Sequence, residues 1–199
     1  MASAFLVAAL ASAAGAAYGE SDRFALNHYG AVANFIDEPN FGISLVVLHD
    51  DFKSGGEDMT TVQVIMDEFE GNENDFFAYG EIDPGDFKIS RNLGKAVLDP
   101  VTLDICESFD EDDDSGEITC EASGETITVE AIWQGEGELH KETFRDSTES
   151  GLRETVTIKD RAAAVTFSID GEQYEAEGST LATEVKCSPL AECQERHVF

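Results

Sequence analysis

Asp110-Glu111-Asp112-Asp113-Asp114, followed by Ser115-Gly116-Glu117-Ile118, is the segment whose residue types come nearest to ligand chemistry. Calcium loops of the EF-hand kind set oxygen ligands at positions 1, 3 and 5, glycine at 6, an aliphatic at 8 and a bidentate glutamate at 12. Counting from Glu111 places Asp113, Ser115, Gly116 and Ile118 correctly but puts Ala122 at the last position. Counting from Asp110 recovers Asp112, Asp114 and Glu121 and loses the glycine. Strand-like rather than helical runs flank the loop. The expectation is a solvated acidic hairpin with loose cation association, set against an ordered Ca2+ site in which Asp110, Asp112, Asp114 and Glu121 supply the oxygens.

The second constellation is His49-Asp50-Asp51, an imidazole beside two carboxylates just after the apolar run at residues 43–48. A strand end can present such a group for acid–base or metal chemistry, so His49, Asp50 and Asp51 are the catalytic candidates, with a polar loop as the plain alternative. The remaining histidines, His28, His140 and His197, have no metal-helix spacing. No GxSxG, HExxH or phosphate-loop motif occurs, and Gly135-Glu136-Gly137 lacks the third glycine of a nucleotide site. With 42 acids in the chain some pair must lie at a glycosidase-like separation, which keeps a secreted carboxylate-dependent hydrolase as the rival class without selecting its residues.

Twelve basic side chains against 42 acidic ones give a formal charge of −30 over 199 residues. Nucleic acid is excluded as a partner, because phosphate binding draws on clusters of Lys and Arg that the chain lacks. Thirteen Phe and 42% hydrophobic residues argue for a folded core rather than an acidic tail. The bias fits either a protein built for high salt or a merely acidic surface. Residues 1–17, MASAFLVAALASAAGAA, read as a signal peptide, with small residues at the expected cleavage site, leaving residues 18–199 as one secreted domain without a transmembrane segment. Four cysteines suit that compartment: Cys106 with Cys120 and Cys187 with Cys193 are the expected disulfides, since their intervals do not suit zinc.

The elements that must position these residues alternate with period two. Ile127, Val129, Ala131 and Trp133 face one way and Thr126, Thr128 and Glu130 the other, and the phase of Trp133 makes it core. Val165, Phe167 and Ile169 repeat the pattern, as do Val62, Val64 and Met66, Val101, Leu103 and Ile105, and Val156 with Ile158. Asp170-Gly171 signals a two-residue hairpin, and a short helix is expected around residues 23–29, ended by Gly30. The spacing of turns predicts an all-β, antiparallel two-sheet β-sandwich of about nine or ten strands.

Gly80-Glu81-Ile82-Asp83-Pro84-Gly85-Asp86-Phe87-Lys88-Ile89-Ser90-Arg91-Asn92-Leu93-Gly94-Lys95, with the following strands to Trp133, resembles segments of small secreted bacterial β-rich proteins of unassigned function. That resemblance implies export and a β fold and carries no catalytic signature. The function expected from the sequence is a non-enzymatic extracellular binding or surface-associated module, with an unidentified extracellular ligand or protein as partner.

The charge makes the first prediction. The Debye length falls from about 30 Å at 0.01 M salt to about 3 Å at 1 M, so self-repulsion is progressively screened. The melting temperature at pH 7 should climb with sodium chloride across that range. A flat or falling curve in a calorimetric series refutes it.

Overall fold

The computed structural model describes residues 24–37, 41–52, 57–68, 75–111, 118–147 and 153–188. The expected signal peptide at residues 1–17, most of the acidic loop and Cys193 lie outside them. Ten strands form where the alternation runs: β1 (Phe24–Asp37), β2 (Phe41–Phe52), β3 (Met59–Glu68), β4 (Phe76–Ile82), β5 (Phe87–Ile89), β6 (Lys95–Glu111), β7 (Ile118–Gly135), β8 (His140–Ser147), β9 (Arg153–Ile169) and β10 (Glu172–Ser188). A 3-10 turn, Pro84–Asp86, separates β4 from β5, with the Asp83 carboxylate accepting from the Gly85 amide at 2.7 Å.

All the strands belong to one antiparallel sheet, ordered β10-β1-β2-β3-β4-β6-β7-β9-β8. The ladder returns on itself, because β10 pairs with β1 along one edge and with β9 along the other. The result is a closed ring of β1, β2, β3, β4, β6, β7, β9 and β10. Two ring positions are shared by collinear pieces. β4 and β5 lie along the same edge of β6, and β7 and β8 along the same edge of β9. In β6 the register slips between Leu98 and Val101, where Pro100 has no N–H to give the ladder.

The expected strand count is met. The separation into two sheets is not seen among the described residues: one continuous ladder encloses the core, and its opposing walls pack against each other across the interior. The expected helix at residues 23–29 is replaced by β1. Its backbone pairs on both sides, Leu26 with Val185 and with Phe52, which outweighs the local signals that suggested a helix. Local propensity is the weaker term when two neighbours supply a full ladder.

The core is built from the inward-facing set of each strand. Ala31 and Ala33 of β1, Leu45 and Val47 of β2, Val62 and Val64 of β3, and Val129 and Ala131 of β7 are almost wholly buried. Ile65, the residue that interrupts the alternation in β3, faces outward and is 44% exposed. Trp133 is fully buried as expected, and its Nε1 donates across the barrel to the Val32 carbonyl at 2.9 Å. The β9–β10 turn has Asp170 and Gly171 at positive φ, 51° and 84°, as a type I′ hairpin requires. Asp170 also closes onto β7, accepting from the Thr128 amide and donating its own amide to the Thr128 carbonyl. Cys106 and Cys120 form the expected disulfide, linking β6 to β7 near the hairpin end. Cys187 is disulfide-bonded as well, and its expected partner Cys193 lies outside the described residues.

Closure demands close backbone approach at Gly178. A Cβ on Gly178 of β10 would stand 2.1 Å from the Val32 carbonyl oxygen and 2.7 Å from Val165. At Gly30 the nearest atoms belong to the flexible Leu181 side chain, at 2.9 Å. Gly178→Ala should therefore destabilise by about 3 kcal/mol or more and Gly30→Ala by only about 1 kcal/mol, overpacking against backbone being the harder case. Urea unfolding monitored by the buried Trp133 measures both, and equal costs would contradict the close-approach argument.

Candidate functional site

The inward-facing series of β1 changes character along the strand. Phe35, Ala33 and Ala31 pack in the core, whereas Tyr29, Asn27 and Ala25, of the same phase, line an open cavity. Its other walls continue the same inward phases: His49 and Asp51 of β2, Phe87 and Ile89 of β5, Lys159 of β9, and Glu184 and Lys186 of β10. The cavity is thus one mouth of the barrel, at the end where β1 begins and β10 finishes, and its volume is about 610 Å³. That lies within the range of small-molecule sites.

A run of rings leads from the core to this mouth. Phe87 meets Trp133 edge to face at 6.4 Å, His49 lies 6.2 Å from Phe87, and Tyr29 stacks on His49 at 6.0 Å. The His49 ring is fixed by a hydrogen bond between Nδ1 and the hydroxyl of the fully buried Thr60, at 2.8 Å. That leaves Nε2 as the polar atom of the ring that can meet a ligand. Beside the rings, the turn from β5 to β6 is tied into the barrel. Leu93 takes positive φ, is fully buried, and its carbonyl accepts from Thr180 Oγ1 at 3.0 Å. Arg91, two residues earlier in that anchored turn, forms part of the cavity wall.

Charge in the mouth is already partly paired. Lys159 binds Glu184 and Lys88 binds Asp99. The hydrogen bond from the Lys159 ammonium holds the Glu184 carboxyl below the usual carboxylate range, against a smaller opposing effect of burial. Asp51 also has an interaction partner. Away from the cavity, the exposed imidazole of His140 hydrogen-bonds Asp160 at 2.7 Å, which raises its pKa above the ordinary imidazole value.

The residues singled out from the sequence are separated by the pleat. His49 and Asp51 enter the cavity, while Asp50, between them, turns to the outer face and meets His28, Nδ1 to Oδ1 at 2.5 Å. Successive residues of a strand face opposite ways, so the three side chains do not converge. Asp110 pairs with Thr119 in the β6–β7 ladder. Its side chain lies outside the described residues, as do Asp112 and Asp114. Glu121 is exposed and accepts from Ser108 Oγ at 3.0 Å. Among the described residues no three His, Cys, Asp or Glu side chains are grouped to hold a metal ion.

Sequence reasoning missed most of the wall. Val156 and Ile158 read as the buried face of their run, yet Ile158 is 39% exposed and Lys159 turns inward with the phase of Ala163, Val165 and Phe167. The unbroken register between β9 and β10 fixes that phase. The available signal was a lysine in phase with an apolar face in the same strand. Comparison with protein-family models, curated proteins and solved structures returns no match.

The ion pair in the wall has a pH signature. A carboxyl whose folded pKa lies below its unfolded one stabilises fully above the unfolded value, and the contribution is lost as pH falls through the folded one. Glu184→Gln should lower stability by up to about 1 kcal/mol near pH 7, the ordinary ceiling for a partly exposed pair. The gap from the parent should close as the pH falls below the usual carboxylate range. Urea titrations at several pH values measure the gap, and one that persists at low pH would assign it to packing instead.

Proposed function

We propose that the chain is an exported, non-enzymatic binding protein that takes a small molecule into the open end of its barrel. The observation that carries this reading is the cavity of about 610 Å³, walled by inward side chains of five strands where the same phases elsewhere fill a core. A barrel of eight strands is wide enough to be filled or to hold one small ligand, and here one half is filled and the other is open. Export is supported by the N-terminal apolar segment and by disulfide-bonded cysteines. No helix among the described residues is long and apolar enough to cross a membrane. His49, Asp51 and Glu184 in one cavity support, as a second reading, a secreted hydrolase acting through carboxylates.

Ligand-observed NMR of the full chain against a fragment set of mixed charge tests both readings. Ala25→Trp should obstruct the mouth without touching the filled half of the barrel. Hits that bind the parent and fail with the variant support the binding protein, and spectra that change with time into product would move the reading to the hydrolase. Hits indifferent to Ala25→Trp, or none at all, overturn the proposed site.

A further inference from the structure

The bases of the described residues are not spread at random around the barrel. Among the described residues, Lys88, Arg91, Lys159 and Lys186 line the mouth, and Asp51 and Glu184 are the acids there. The ratio of bases to acids is therefore two to one among the described lining residues and less than one to three over the chain, so the local charge opposes the global one. The remaining bases of the described residues, Lys95, Lys141, Arg145, Arg153 and Arg161, stand on strands or strand starts in that same half. The opposite rim carries the β1–β2, β3–β4, β6–β7 and β9–β10 connections. Its described residues include Asp37, Asp75 and Glu172 and no Lys or Arg.

Pairing within the mouth leaves a positive remainder. Glu184 is matched by Lys159, and Lys88 by Asp99. Asp51 has its own partner. No side-chain hydrogen bond or salt bridge joins Arg91 or Lys186 to another described residue, although the Lys186 charge acts on Glu184 from a distance, and both line the cavity together with Tyr29, His49 and Phe87. A guanidinium fork and an ammonium beside aromatic rings match a planar body that ends in a carboxylate.

We infer that the barrel mouth binds a small aromatic carboxylate, whose ring lies against Tyr29, His49 and Phe87 and whose anionic end is taken by Arg91 and Lys186. This inference rests on the binding reading above and adds the ligand class. It has a distinctive salt dependence. At 0.01 M salt the Debye length is about 30 Å and the whole anionic protein repels the ligand, whereas at 0.15 M it is about 8 Å and the nearby cations prevail. At 1 M, with a length of about 3 Å, their attraction weakens too. Affinity should pass through a maximum at intermediate salt.

The test is isothermal titration of the full chain with naphthalene-1-carboxylate, its neutral carboxamide, 1-naphthylmethylammonium and inorganic phosphate. The carboxylate should bind about tenfold or more tighter than the carboxamide, an increment expected of one charge-assisted contact. The ammonium and phosphate should bind weakest. Arg91→Gln combined with Lys186→Gln should remove that preference while leaving carboxamide binding in place, which a merely unfolded variant could not do. Glu184→Gln, which releases Lys159, should tighten the carboxylate a few-fold, opposite to a general loss of structure. Carboxamide or ammonium binding as tight as the carboxylate overturns the inference, as does phosphate binding equally well. If none of these probes binds while the fragment screen still yields hits lost in Ala25→Trp, the ligand class is wrong and the binding site stands. If that screen also fails, both fall together.

Discussion

Everything in this structure depends on β10 having two partners. Its full length is hydrogen-bonded to β9, and most of it is bonded again to β1, which converts a meander into a ring. A sheet with free edges would have left Ala31, Ala33, Leu45 and Val47 facing one another without a fourth wall. Closure surrounds them and removes two exposed edges at once. The requirement is felt at Gly178, where any side chain would meet the β1 backbone, and at Trp133, whose indole spans the interior to a β1 carbonyl.

The same closure decides where polar groups can go. In the filled half, inward positions are small, aliphatic or aromatic and the opposing walls meet. Toward the mouth those positions become Asn27, His49, Asp51, Lys159, Glu184 and Lys186, whose burial is tolerated only with partners or water. Hydrogen bonds meet much of that demand: His49 on Thr60, Thr180 on the Leu93 carbonyl, Lys159 on Glu184. Among the described residues no buried side-chain nitrogen or oxygen is left without a partner. The cavity is thus a continuation of the barrel's own alternation with a different alphabet, rather than a defect in the core.

What could be read from the sequence was local. Period-two patterning placed strands through residues 62–66, 101–105, 127–133 and 165–169, the Asp170-Gly171 turn was explicit, and Cys106 with Cys120 followed from their flanking strands. What could not be read was long-range. The β1–β10 pairing joins residues 24 and 187, and no local pattern records it. Without that pairing, β1 was open to a helical reading and the sheet to a division in two. The site suffered from the same limit. His49, Asp50 and Asp51 are adjacent in sequence and split by the pleat, while Arg91 and Lys186 are far apart and brought to one mouth. Even the phase of β9 could be misread, because Val156 and Ile158 are more apolar than the Lys159 that turns inward.

The pairing of first strand with last also governs the order in which the chain can be assembled. β1 emerges early from synthesis and finds β2 nearby, but its other edge has no partner until residues 177–187 exist. Until then the nascent meander is an open ribbon with an unsatisfied strand edge and uncovered aliphatic side chains, and closing it must pay for a loop almost as long as the domain. A chain of this topology cannot complete its native barrel while its C-terminal strand is still being made. Under the export proposed above that delay is an asset, since the threadable state persists through translation and the fold locks only after the last strand has arrived.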